Sequence, residues 1–335
     1  MNFTGFTESA SVRSATASGH GSMKTDPPEI YFIEKAGIVP TALVGLLGNL
    51  LALVVWMAET RYNATTFLLK CLCVWDNVFL LTFVIAILSS NVAYPYAVIF
   101  VLGVSQMLSV HITLSATVTR LLAVTRPLHV RDILTPRRVY VIHAGVFVWC
   151  TALESINTVA LVKTQLPLRL RWKIFVSRQT LGFILPIVAL LIINVCLLIF
   201  LRKLRAVSRA SLQRRPSSAA VSADRRLNIA VFCISVCTFI AYPVGILFQV
   251  LADGIYGGMI YFPLYCNRRC TLIVDSVFYL MQTLNSSVNI IFYLVFSTQF
   301  RNLLLRRVER VRGLRRSLST SSSFTSSKKT GVSSV

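Results

Sequence analysis

The chain has 335 residues, 55% of them hydrophobic and only 14% charged, with 34 Lys and Arg against 12 Asp and Glu for a net charge of +22. In a soluble protein that excess would point to nucleic acid. Here the basic residues collect in short segments between long apolar runs, which excludes a nucleic-acid partner and points to an integral membrane protein.

The first 30 residues are polar, rich in Ser, Thr and Gly, and contain no apolar core of a cleavable signal. Asn2-Phe3-Thr4 is a glycosylation sequon at Asn2, and Asn63-Ala64-Thr65 is a second. Seven apolar stretches follow, at residues 38–57, 67–92, 97–124, 139–162, 175–201, 227–251 and 272–296. Each approaches or exceeds the roughly 20 residues that a helix needs to cross a hydrocarbon core of about 30 Å. The fold expected is all-α, a seven-transmembrane helix bundle. The organisation expected is a tail (1–35), the membrane domain (36–297), an amphipathic surface helix (298–314) and a disordered tail (315–335).

Charge sets the expected orientation. Arg126, Arg131, Arg137 and Arg138 follow span three, and residues 202–226 and 301–316 carry the other two clusters. The positive-inside rule places these loops and the C-terminus in the cytoplasm, and the N-terminus outside a plasma membrane. In that frame Asn2 is exposed to glycosylation, whereas Asn63 is cytoplasmic and stays unmodified. Phe300, Leu303, Leu304, Leu305 and Val308 interleave with Arg301, Arg306, Arg307 and Arg310, as expected of a helix lying on anionic lipid. The end of the chain is rich in Ser and Thr.

Of eight cysteines, six fall within spans. Cys266 and Cys270 lie on the oxidising side, where a disulfide and two free thiols are both compatible with their spacing. There is no His/Glu metal motif, nucleophile elbow or phosphate loop, so neither an enzyme nor a cofactor is expected. The absence of internal repeats counts against a two-fold transporter.

Polar residues recur inside the spans: Asn49 in the first, Asp76 in the second, Ser109 in the third, and Asn285, Ser286 and Asn289 in the seventh. The last three share one helix face. An intramembrane carboxylate costs about 2.5–3.5 kcal/mol on insertion scales and needs partners or a task. Two readings fit: a site for a monovalent cation with water, or a set of hydrogen bonds tying the bundle together.

These positions carry a resemblance. Gly48-Asn49, Leu72 with Asp76, Arg120 with Leu122-Ala123-Val124 and Pro127-Leu128, Trp149, Pro186 and Pro243 fall in order through the spans. With Asn285-Ser286-Ser287-Val288-Asn289-Ile290-Ile291-Phe292-Tyr293 and Phe300-Arg301, they resemble the rhodopsin-like (class A) G-protein-coupled receptors. The text of span seven and the helix after it is similar to the FMRFamide-like neuropeptide receptor group. The resemblance implies a receptor for an extracellular ligand, in the first instance a peptide, that activates heterotrimeric G proteins. It implies an allosteric sodium ion at Asn49, Asp76, Ser109, Asn285, Ser286 and Asn289. It also implies an activation switch comprising Arg120, Tyr293, Pro243 and Pro186. Arrestin and receptor kinase are implied partners through Ser317, Ser319, Thr320, Ser321, Ser322 and Ser323. Ser333-Ser334-Val335 fits a PDZ ligand.

The chain departs from the family pattern at several places. Thr119 stands for the acidic residue before Arg120, Ala241 for the toggle Trp, Asn194 for the Tyr of span five, and Ile290 for the Pro of span seven, which predicts a straighter helix. The first outer loop is very short, and neither it nor residues 163–173 hold a Cys for the family's disulfide. Thr283 excludes a retinal lysine, and Leu102 disfavours monoamines at that position. Arg169, Arg171 and Arg178 form a candidate ligand mouth with Leu102 and Asp275, its cationic rim suited to an acidic peptide or a free carboxylate. Glu154 and Asp275 either face the pocket or pair with a nearby Arg. The substitutions at Thr119, Ala241 and Asn194 also fit an atypical receptor that scavenges ligand or heteromerises without G-protein signalling.

Overall fold

A computed structural model describes residues 28–59, 62–88, 96–163, 165–210, 229–243, 246, 268–310 and 312. Those residues form an all-α bundle, with no strand among them. Helix α1 runs through Pro28–Phe32, a π turn Ile33–Ile38, and Val39–Met57; α2 is Ala64–Leu88 and α3 is Tyr96–Thr125. After a single turn at Val130–Ile133 come α4, Pro136–Val162, and α5, which joins Leu168–Gln179, a π turn Thr180–Ile184, and Leu185–Ala210. The described part of α6 is Ile229–Pro243. Helix α7 comprises Arg268–Ser287 and Asn289–Phe296, and α8 is Thr298–Arg310. The first five helices are each long and apolar enough to cross a membrane. Helix α8 turns away from α7 by 88°, out of the span. The chain is a multi-pass membrane protein.

Lipid-facing and interior stripes separate cleanly along each helix. On α1, Leu43, Leu47, Leu50 and Val54 are exposed while Ala42, Gly45, Asn49, Ala52 and Trp56 are buried. With lipid outside, apolar burial gives little drive, so close backbone approach and interhelical hydrogen bonds hold such a bundle. Gly45 supplies one approach, since a methyl there would strike Ser287 of α7, and the Ser287 hydroxyl reaches the Thr41 carbonyl at 3.1 Å. One turn on, a methyl at Gly48 would sit 2.8 Å from Ile290 Cγ2.

The helix ends are closed by specific groups. Asn63 Oδ1 accepts the Thr65 N–H at 3.0 Å and caps α2 at its start. At the other end of α2, Lys35 of α1 donates to the Ile87 carbonyl at 2.8 Å, a cation on a helix C-terminus. Arg301 Nη1 donates to the carbonyls of Leu294 and Val295 at 2.8 and 2.7 Å, and Ser297 Oγ accepts the Phe300 N–H at 3.2 Å. The sharp α7–α8 corner therefore leaves these groups satisfied. Phe300 and Leu303 of α8 are buried, whereas Leu305, Arg306 and Arg310 are exposed.

Three expectations change. Helix α1 begins at Pro28, inside the segment expected as a tail, and gains length through its π turn. Residues 168–173 are helical rather than loop, because Pro167 enters with an extended ψ of 136° and launches α5. Helix α7 breaks at Val288 without a proline. There the Ile291 N–H bonds to Val288 O at 2.9 Å, and the Phe292 N–H reaches the same carbonyl only at 3.4 Å. The Ser287 hydroxyl, bonded at 2.7 Å to Thr283 O as well as to Thr41 O, competes with the backbone at that point. Pro186 sits where a distortion of α5 is expected: a π turn precedes it, in which the Leu185 N–H reaches Thr180 O.

Candidate functional site

Midway along the bundle, helices α2, α3 and α7 meet at the Asp76 carboxylate, which is fully buried. Ser109 Oγ donates to Oδ1 at 2.9 Å and Asn289 Nδ2 to Oδ2 at 2.7 Å. Ser286 of α7 lies beside the same group. The other two residues expected around it are turned elsewhere. Asn49 Nδ2 donates to the Ser286 carbonyl at 2.7 Å, and Asn285 Oδ1 accepts from Thr238 of α6 at 3.2 Å. Those two amides bind helix to helix rather than the carboxylate. The amide oxygens of Asn49 and Asn289 are buried and accept no hydrogen bond among the described residues. A carboxylate, hydroxyls and spare amide oxygens form a hard-oxygen set suited to a monovalent cation.

Toward one end lies Arg120, 2% exposed on α3. Its neighbour Thr119 donates its hydroxyl to Ala116 O, and that hydroxyl lies 2.8 Å from the Thr65 hydroxyl of α2, a neutral tether between the helices. Tyr293 is completely buried at this end, edge-on to Trp56 at 5.6 Å and tilted against Phe300 at 5.5 Å. The hydroxyls of Thr117 on α3 and Ser235 on α6 lie 2.9 Å apart, both fully buried. Nothing in residue order marks this last pair, since each hydroxyl also serves its own helix backbone.

The opposite end holds the expected ligand mouth. Arg178 is not a free rim charge. Its Nε donates to Glu154 Oε2 at 2.7 Å, Asn157 Nδ2 donates to Oε1 at 3.1 Å, and the guanidinium lies 5.3 Å over the Phe183 ring. Gly103 of α3 makes room for that carboxylate, because a methyl there would overlap it. Arg169 is exposed and Arg171 half-buried on the first turns of α5. Leu102 packs beside Ile38, Phe79 and Phe83 rather than standing free. Asp275 is half-buried on α7. Deeper in, Gln106 of α3 donates to Gln282 of α7, two polar span residues that sequence reasoning passed over. Above Pro186, Gly182 brings α5 onto α3, where a methyl would sit 2.6 Å from Met107 Sδ. Ala241 is buried, and the adjacent Tyr242 is buried and stacked on Phe183 at 5.5 Å.

Asn2, Cys266, the Cys270 side chain, the Ser/Thr cluster Ser317, Ser319, Thr320, Ser321, Ser322 and Ser323, and Ser333-Ser334-Val335 lie outside the described residues. Among described residues no group of three or more His, Cys, Asp or Glu is arranged for a metal. No curated protein matches the chain. Residues 162–309, from the end of α4 to α8, match the family described as serpentine type 7TM GPCR chemoreceptor Srw, and that description names neither the rhodopsin-like class nor the FMRFamide group.

Proposed function

We propose that this protein is a serpentine receptor of the plasma membrane that binds an extracellular ligand, a peptide in the first instance, and activates heterotrimeric G proteins. The observation that carries the reading is the Asp76 node, where α2, α3 and α7 are joined through one buried carboxylate midway along the bundle. Similarity of residues 162–309 to a serpentine chemoreceptor family supports it. The distribution of Lys and Arg supports an extracellular N-terminus and cytoplasmic loops at the Arg120 end.

A ligand at the end opposite Arg120 acts by preferring one of two packings of the bundle. Moving α7 relative to α2 and α3 must rearrange the Asn289–Asp76–Ser109 bonds, and the same motion carries Tyr293 out of its place between Trp56 and Phe300. The break at Val288 and the prolines at 186 and 243 are where α7, α5 and α6 yield. Arg120 is then uncovered to a G protein. A sodium ion at Asp76, held with Ser109, Ser286 and the Asn289 oxygen, stabilises the packing with those bonds intact. Phosphorylation of residues 317–323 by a receptor kinase would make a basic tail acidic and recruit arrestin. A PDZ domain is a further partner for the last three residues, and lipid headgroups for the arginines of α8.

The test is nucleotide exchange on a full panel of G proteins in cells expressing the chain and challenged with a peptide library. An active peptide speeds exchange, and Arg120→Ala abolishes the response at unchanged surface expression. Ligand uptake with no G protein responding would replace this reading by the scavenging one.

A further inference from the structure

The interior stripe of α7 carries three polar side chains one heptad apart, Asp275, Gln282 and Asn289. Val277, Leu284 and Ile291, on the reverse stripe, are 44%, 39% and 53% exposed, which fixes the face that lipid covers. Spacing by seven drifts only about 20° per repeat, so the three polar groups form one column looking into the bundle. Two of them are met by another helix. Asn289 donates to Asp76 of α2, and Gln282 accepts from Gln106 of α3. Asp275 is the outermost member, about 10 Å beyond Gln282 at 1.5 Å per residue. It is half-buried, and its carboxylate makes no hydrogen bond or ion pair with any described residue.

The ordinary reasons for a carboxylate at such a place do not apply. It is the eighth residue of Arg268–Ser287, beyond the first turn in which a helix N-terminus favours negative charge. Arg178, an interior-facing cation at this end, is committed to Glu154 at 2.7 Å. The α3 residue one turn outward of Gln106 is Leu102, an apolar side chain within the Phe79–Phe83 cluster. Phe278 and Tyr279, three and four residues further along α7, share the face of Asp275, and Tyr279 lies 5.0 Å from Phe83 of α2. A carboxylate on the same helix face as aromatic rings attracts an organic cation through charge and through the ring faces together.

We infer that Asp275 receives the positive group, an ammonium or a guanidinium, of the ligand for which this bundle is a receptor. The inference rests on the receptor reading for its extracellular source of ligand, and it reverses the acidic ligand that the arginines alone suggest. The cation belongs either to an Arg or Lys side chain of a peptide or to a small aromatic amine.

The experiment uses the full chain in lipid nanodiscs and follows its thermal unfolding with paired probes: acetyl-Phe-Arg-amide against its neutral citrulline twin, and phenethylamine against 2-phenylethanol. The charged member of at least one pair raises the unfolding temperature while its twin does not, and the pair that responds tells peptide from amine. Asp275→Asn weakens that apparent affinity at least tenfold, and Asp275→Glu retains it. The inference is overturned if neither cation stabilises the protein, if the neutral twins stabilise it equally, or if Asp275→Asn keeps the effect. The twin comparison needs no variant and so survives a misfolded one. Cation-dependent stabilisation with no G protein responding would remove the receptor reading and leave the Asp275 site standing.

Discussion

Arg178 and Glu154 bridge α5 and α4 at 2.7 Å with the carboxylate 1% and the guanidinium 12% exposed. Breaking a buried pair from one side strands a charge and costs about 3–5 kcal/mol, whereas replacing both partners with apolar groups of similar volume is close to neutral. Arg178→Ala is therefore expected to lower the unfolding temperature sharply, and the double variant Glu154→Met/Arg178→Met to recover most of it. Thermal unfolding in nanodiscs measures both. Equal loss in the single and double variants would mean that the pair contributes favourably in its own right.

Gly45 and Ser287 set the distance between α1 and α7. Gly45→Ala forces the helices apart and should cost about 1–3 kcal/mol, the usual penalty for overpacking. Ser287→Gly in the same chain removes the obstructing atoms and should restore part of the loss. A double variant no more stable than Gly45→Ala would show that Leu80, 2.8 Å from the added methyl, is the true obstacle.

A cation at Asp76 stabilises the native state by mass action, and sodium at ten times its dissociation constant adds about 1.4 kcal/mol. Unfolding in sodium chloride should therefore occur at a higher temperature than in choline chloride at equal ionic strength. Asp76→Asn keeps the shape and should abolish the difference. An unchanged salt preference in that variant would assign the hydrogen bonds of Ser109 and Asn289 a purely structural role.

The Thr117–Ser235 contact joins α3 and α6 about one turn from Arg120, the residue that the proposed receptor mechanism would uncover. Interhelical bonds of this kind average about 0.6 kcal/mol in membranes, so their loss shifts a two-state balance about threefold. Thr117→Val/Ser235→Ala should raise ligand-independent nucleotide exchange by about that factor at equal surface expression. A basal rate that stays at the native level would place the constraint elsewhere in the α3–α6 contact.

Much of this molecule was readable from residue order because lipid imposes a strict rule: a spanning segment must be long, apolar and helical. Asp76, Ser109 and Asn289 stood out for the same reason, as polar groups in segments that penalise them. The unread parts are those the rule does not reach. The first two turns of α1 contain Glu29, Glu34 and Lys35, and the start of α5 contains Arg169, Arg171 and Lys173, so hydropathy begins both helices too late. The partners of Glu154 and Asn285 depended on helix rotation, which composition does not encode. The break at Val288 lies where α1 reaches across to α7, with Asn49 donating to Ser286 O and Ser287 to Thr41 O, tertiary contacts with no local signature.

Trp56 is wholly buried between Tyr293 and Phe300, and it is one of four tryptophans in the chain. Any departure of Tyr293 from its present position must admit water or lipid to that indole. Its fluorescence would shift in colour as the ring is exposed, so a chain stripped of its other indoles carries an optical gauge of its own conformation, with no dye attached.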